Sequence, residues 1–282
     1  MTGDEAATTA VAERGSRNLL TRVGAALVLA PAAVALAWAG GWCWTALASL
    51  GAIGLYVEWL MIVGVAGQKR TVAAGSLALA CAGLALARGR PDVALAAIVA
   101  GLLVILMLSP EKRGWVATGF CYAAAAQLAS VVVRLDAAYG LAALMLVMLI
   151  VWVTDIGGYF AGRGLGGPKL WPRVSPKKTW AGALGGFVAS LAVAAGFAGF
   201  GFGPMGPLLV LAAVLSIASQ LGDLFESAVK RRFGVKDSSH IIPGHGGLLD
   251  RLDGFVAAIV LAALIGMLRG GIDGVGRGLM VW

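Results

Sequence analysis

Residues 141–161 read LAALMLVMLIVWVTDIGGYFA, and the first fourteen of them carry no charge at all. The apolar residues run on without the alternation of a half-buried strand. A stretch this long and continuous fits an α-helix crossing a bilayer core of about 30 Å, which takes roughly 20 predominantly apolar residues. Its last two turns differ, because Asp155 sits there beside Gly157, Gly158 and Tyr159. An ionisable group at such a depth is costly and marks a candidate functional position.

Moving outward, similar runs occur at 23–39, 44–66, 71–87, 93–108 and 115–133 on one side, and at 181–200, 207–225 and 255–268 on the other. They predict an all-α polytopic integral membrane protein with about nine transmembrane helices. A β-barrel is excluded because its strands would alternate. Composition agrees: 60% of the 282 residues are hydrophobic and 13% are charged, against about 25% charged in a soluble domain. Residues 1–21 read as a disordered cytoplasmic tail rather than a cleaved signal, since no small-residue cleavage site follows a short apolar region. Residues 22–136 read as scaffold helices and 137–282 as the catalytic region. Within the scaffold, Glu58 is either an acid paired inside the bundle or part of a polar cavity. Cys43, Cys81 and Cys121 share no ligand spacing and read as small core residues.

The net charge of +8 does not indicate nucleic acid, because the cations sit in short loops between apolar runs. With nine crossings, all of the 22 Lys and Arg except Arg88, Arg90, Arg134, Arg269 and Arg277 fall on the N-terminal side. The positive-inside rule then makes the N-terminus and that whole face cytoplasmic, in the cell membrane. Lipid headgroups and phosphates are the partners such a face suits.

Three polar segments meet on that face. The loop GRGLGGPKLWPRVSPKKTW at 162–180 combines glycines with Ser175, Lys177 and Lys178, a composition that suits phosphate; an ordinary positive-inside loop is the plainer reading. QLGDLFESAVKRR at 220–232 brings Asp223 and then Lys230 and Arg231. The stretch SAVKRRFGVKDSSHIIPGHGGLLDRLD at 227–253 is the most polar of the chain and holds both histidines. Asp250 and Asp253 are three apart, on one face of a helical turn. Together with Asp223 they form either an all-oxygen site for a hard cation such as Mg²⁺ or a set of salt bridges. The Gly-rich turn they flank at the membrane edge favours the cation. Zinc has no partners here; His245 either meets a phosphate or holds the loop.

Ser227, Lys230 and Arg231, then Val235, Lys236 and Asp237, then PGHGGLLDRLD at 243–253 together resemble the signature of the phosphatidate cytidylyltransferases, or CDP-diacylglycerol synthases. GDLFES at 222–227, SPKKTW at 175–180 and DIGGYFAGR at 155–163 strengthen the likeness. It covers the C-terminal half; the N-terminal helices match in hydrophobicity only. Two departures stand out: Ala181 follows SPKKTW where the family usually has Glu, and Ile156 replaces the common Thr. The resemblance implies that CTP and phosphatidic acid give CDP-diacylglycerol and pyrophosphate with Mg²⁺, and it alone suggests a homodimer. Carried onto this chain, Asp223, Asp250 and Asp253 would hold one or two cations. Lys177, Lys178 and Lys236 would neutralise phosphates, Ser175 would donate a hydrogen bond and Arg251 would clamp phosphate or an aspartate. Lys230, Arg231, His245 and Asp155 would line the substrate site. A related enzyme using CTP on a polyprenol or archaeal-type lipid is the alternative; a transporter would show repeated halves, and none are visible.

Overall fold

The computed structural model describes residues 28–239 and 246–282. The N-terminal tail and both histidines, His240 and His245, lie outside the described residues. Within them the chain forms ten α-helices: α1 (Val28–Ala39), α2 (Gly41–Val63), α3 (Lys69–Ala87), α4 (Pro91–Leu108), α5 (Arg113–Leu135), α6 (Gly140–Leu165), α7 (Trp180–Gly199), α8 (Met205–Arg232), α9 (Leu249–Gly270) and α10 (Val275–Met280). Eight of them, α2 to α9, are long and apolar enough to cross a membrane, and α1 is the described part of a shorter apolar run. The protein is an all-α polytopic membrane protein.

Short connections make successive long helices antiparallel, so their ends collect at two faces. At one face Arg134 donates to the carbonyl of Ala37 and Arg277 N–H donates to Asp136. Asp136 also receives the N–H groups of Ala138 and Tyr139 at the start of α6. Burial opposes its charge, but these backbone donors outweigh burial and hold its carboxyl below the usual range. At the other face Lys112 donates to the carbonyl of Val63, and Trp115 meets Phe233 edge-on at 5.0 Å. The candidate site lies at this second face.

Two cores fill the bundle. One gathers α2, α3, α4 and α5 around Tyr56, Trp59 and Phe120; the other gathers α5 to α9 with α10 around Leu144, Ile150 and Leu215. Beside the first core Trp59, Tyr122 and Phe225, from α2, α5 and α8, gather with ring centroids 5.6 to 6.3 Å apart. Between α6 and α7 small residues face each other: a Cβ on Gly185 would run into Ala161, and one on Gly182 would reach the Gly158 carbonyl at 2.8 Å. Backbones can therefore approach closely, as small residues allow in membrane bundles.

Three expectations change. The run expected to end at Phe225 continues as helix to Arg232, and the last long helix starts at Leu249, ahead of the expected 255. In both, ionisable residues lie on an inward face while apolar neighbours such as Leu224, Val229 and Leu249 are buried. Hydropathy falls there, yet the helical period persists. The loop after α6 holds an antiparallel hairpin of β1 (Lys169–Trp171) and β2 (Ser175–Thr179), pairing Lys169 with Thr179 and Trp171 with Ser175. Thr179 then caps α7 by accepting the Gly182 N–H. Finally, Cys43, Cys81 and Cys121 are exposed rather than core, on outward surfaces where hydrocarbon is an acceptable neighbour for a small soft side chain.

Candidate active site

A cavity of about 770 Å³ opens between α6, the hairpin, the start of α7, the end of α8 and the start of α9. Each wall brings one polar element. The last turns of α6 carry Asp155, Tyr159 and Arg163; β2 carries Lys177 and Lys178; α8 carries Asp223, Glu226 and Lys230; α9 carries Asp250, Arg251 and Asp253. On α8 the spacing 223, 226, 230 keeps all three on one face, as i,i+3 and i,i+4 neighbours.

Gly222 lets this geometry form. A Cβ there would come within 2.6 Å of the Asp253 carbonyl and 2.7 Å of Ala257, so only a glycine admits α9 close enough to set Asp223 and Asp253 side by side.

Two ion-pair systems divide the cavity. Lys178 pairs with Asp223, which also accepts the Ser227 hydroxyl at 3.3 Å. Deeper in, the Lys230 ammonium sits 2.5 Å from Asp250 Oδ1 and 2.6 Å from Glu226 Oε2. Glu226 is buried, and its Oε1 has no hydrogen-bond donor among the described residues. The other oxygen of Asp250 accepts the Ser238 N–H at 3.1 Å and the Gly247 N–H at 3.0 Å, and the Ser238 hydroxyl oxygen lies 3.0 Å from it. Asp253 accepts the adjacent Gly254 N–H at 2.7 Å.

Asp155, Asp223 and Asp253 repel one another across the cavity, with Lys178 opposing that repulsion and Arg251 adding to the relief at Asp155. The three facing acids are therefore Asp155, Asp223 and Asp253, while Asp250 is turned toward Lys230, Ser238 and Gly247. Among the described residues no three His, Cys, Asp or Glu side chains come together closely enough to enclose an ion by themselves. Carboxylates facing an open cavity do fit a Mg²⁺ ion of the kind that takes one or two protein carboxylates and completes its shell with phosphate oxygens and water.

Of the residues expected from sequence, Asp155, Lys177, Lys178, Asp223, Lys230, Asp250, Arg251 and Asp253 line this cavity. Three others do not. Ser175 is held in β2 opposite Trp171; Arg231 is exposed and donates to the Val235 carbonyl; Lys236 is exposed beyond α8. Sequence reasoning missed Arg163 and left Glu226 outside the site. The i,i+4 spacing of Glu226 and Lys230 was the available signal for the second. Glu58 was left undecided, and no local signal could have found its partners, which lie 180 to 191 residues away.

Eight long apolar helices around a cavity of lysines, arginines and carboxylates at one membrane face define a polytopic membrane enzyme built to handle phosphates. The profile of the Cytidylyltransferase family matches residues 20–268. The chain belongs to that family and is a nucleotidyltransferase. It is 40% identical over 252 residues to a protein of Brucella suis biovar 1 (strain 1330), covering 88% of this chain and 93% of that one. A Staphylococcus saprophyticus protein is 38% identical over 182 residues, 62% of this chain and 70% of its own length. A Bacillus subtilis protein is 48% identical over 120 residues, 42% and 45%. All three bear the name phosphatidate cytidylyltransferase.

Proposed function

We propose that this protein is a CTP:phosphatidate cytidylyltransferase that makes CDP-diacylglycerol and pyrophosphate for phospholipid synthesis. One observation carries the reading. The cavity sets Lys177, Lys178, Arg163, Lys230 and Arg251 around facing carboxylates at the membrane edge, where a charged nucleotide and a lipid phosphate can both arrive.

The lipid phosphate is already an anion near neutral pH, so the reaction asks for little general-base catalysis. An oxygen of that phosphate forms a bond to the α-phosphorus of CTP, the bond from that phosphorus to the bridging oxygen of the β-phosphate breaks, and pyrophosphate leaves. Catalysis is then positioning and charge neutralisation. Lys177 and Arg163 stand where they can take phosphate oxygens; Lys178, held by Asp223, presents a fixed charge from the hairpin. Lys230 is oriented between Glu226 and Asp250, so its ammonium does not depend on the substrate for its place.

Asp223 and Asp253, with Asp155 opposite, are the residues that would hold a Mg²⁺ ion, and Asp250 would join them by exchanging one of its present donors. Bound there, the cation supplies neutralisation of the triphosphate and its leaving group. The skew of Lys and Arg toward this face supports a cytoplasmic site in the cell membrane.

The decisive assay uses the purified protein in detergent with labelled CTP, Mg²⁺ and phosphatidic acid, following CDP-diacylglycerol and pyrophosphate. Pyrophosphate release that does not depend on phosphatidic acid, or none at all, refutes the reading. Parallel reactions with a polyprenyl phosphate or an archaeal-type lipid acceptor identify any other acceptor.

A further inference from the structure

Glu58 lies in α2, far in sequence from every residue of the cavity, and is completely buried. A carboxylate at that depth needs partners, and it has four donors. The hydroxyls of Ser238 and Ser239 donate at 2.8 and 2.7 Å, and the N–H groups of Leu248 and Leu249 at 2.8 and 2.7 Å. These N–H groups belong to the cap residue Leu248 and to Leu249, the first residue of α9, where a helix has no carbonyl of its own to offer and favours a negative charge. Asp250 follows immediately and Asp253 one turn later.

A second link runs through Ser238. Its hydroxyl stands 2.8 Å from Glu58 Oε2 and 3.0 Å from Asp250 Oδ2, while its N–H donates to Asp250 as well. Asp250 in turn holds Lys230 at 2.5 Å. The space is fully used: a Cβ at Gly247 would overlap the Ser238 hydroxyl and press on Glu58 Oε2. The order Glu58, Ser238, Asp250, Lys230 is thus one continuous polar chain from the N-terminal helices to the cavity wall.

We propose that Glu58 is a positioning residue for nucleotidyl transfer: it fixes the start of α9 and, through Ser238, the orientation of the Asp250–Lys230 pair. The inference rests on the reading of the cavity as the nucleotidyl-transfer site. It gives the N-terminal half a part in the chemistry beyond scaffolding.

The experiment compares E58Q, S238A and their double variant with wild type. In E58Q an amide NH₂ replaces one acceptor oxygen and faces donors. Turnover should fall about 10- to 100-fold, the usual loss when a partner behind a reacting group is removed, with KM for phosphatidic acid within about twofold because the lipid is not touched. S238A should cost about tenfold. The double variant should be no slower than E58Q, because both act along one chain. Y56F is the control: Tyr56 is buried on the same helix, and its hydroxyl bonds the Thr71 carbonyl among the N-terminal helices, so Y56F should lower thermal stability with turnover unchanged. Turnover of E58Q within about twofold of wild type, independent multiplicative losses in the double variant, or an equal slowing in Y56F would overturn the proposal. Should E58Q not be recovered as a monodisperse protein, S238A decides, and wild-type turnover in S238A overturns it. CTP affinity by equilibrium dialysis separates this inference from the lipid reading. Wild type that binds CTP but gives no lipid-dependent pyrophosphate refutes only the phosphatidate reading. E58Q should then bind CTP at least about fivefold more weakly, and equal affinity sinks the role of Glu58.

Discussion

Replacing Lys230 by Met separates what the buried ion pairs do for the fold from what they do for the reaction. The ammonium is 9% exposed as a residue and lies 2.5 and 2.6 Å from two carboxylates. At an effective dielectric near 20, each attraction is gross about 6 kcal/mol. Desolvation of three charges consumes most of that sum. What decides the outcome is the state left behind, because removing one partner strands Glu226 and Asp250 as buried anions, which costs about 3–5 kcal/mol. For a chain of this size each kcal/mol lowers the midpoint by about 2–4 °C, so K230M should melt roughly 6–20 °C below wild type. The assay is intrinsic tryptophan fluorescence of detergent-purified protein during a thermal ramp. Adding Glu226→Gln should restore a large part of the loss, since one stranded anion becomes neutral, while CDP-diacylglycerol formation stays at least about a hundredfold down because the cavity still lacks its oriented cation. A K230M midpoint within about 2 °C of wild type, or a double variant less stable than K230M, refutes the argument that these charges are mutually buried.

Asp250→Asn presents an amide where Lys230, Ser238 and Gly247 all donate, and turnover should fall at least about a hundredfold with an unchanged gel-filtration profile; near-normal turnover removes Asp250 from the machinery. Ala181→Glu places an acid in the first turn of α7, which has none. A charge there is worth about 0.3–1 kcal/mol, so turnover should stay within about fivefold of wild type, and a larger loss shows that the small residue is required. Asp136 has its carboxyl held below the usual range by backbone donors. A depressed folded value contributes stability above the unfolded carboxylate's ~3.9 and loses it as pH falls through the folded value. Thermal midpoints measured downward from pH 5 should therefore fall less steeply in Asp136→Asn than in wild type.

The spanning helices were legible because continuous hydropathy is a local property. Their ends were not, where α8 and α9 carry charge: hydropathy stops at Phe225, yet the helix runs on to Arg232 because Asp223, Glu226 and Lys230 face a cavity and not lipid. The hairpin escaped notice because strands of three and five residues carry too little pattern. Most cavity residues could be named in advance, since ionisable groups in an apolar chain announce themselves. Their pairing could not. Lys178 and Asp223 meet only because α8 returns the chain to the face that α7 leaves. Asp155 joins Asp223 and Asp253 where α6 meets α8, at the Thr154–Ser216 hydroxyl pair, and Glu58 finds its donors across nearly the whole sequence.

The separation of Glu58 from its donors also sets a schedule for biosynthesis. Leu248 is made 190 residues after Glu58, about 10–40 s later at 5–20 residues per second. For that interval α2 carries an acid whose donors do not yet exist, and hydrocarbon offers it none. Chains truncated before Ser238 keep that defect permanently. They should be cleared by membrane proteases faster than chains that end after α9, a difference a pulse-chase experiment reads directly. Helix α9, on leaving the ribosome, thus completes α2.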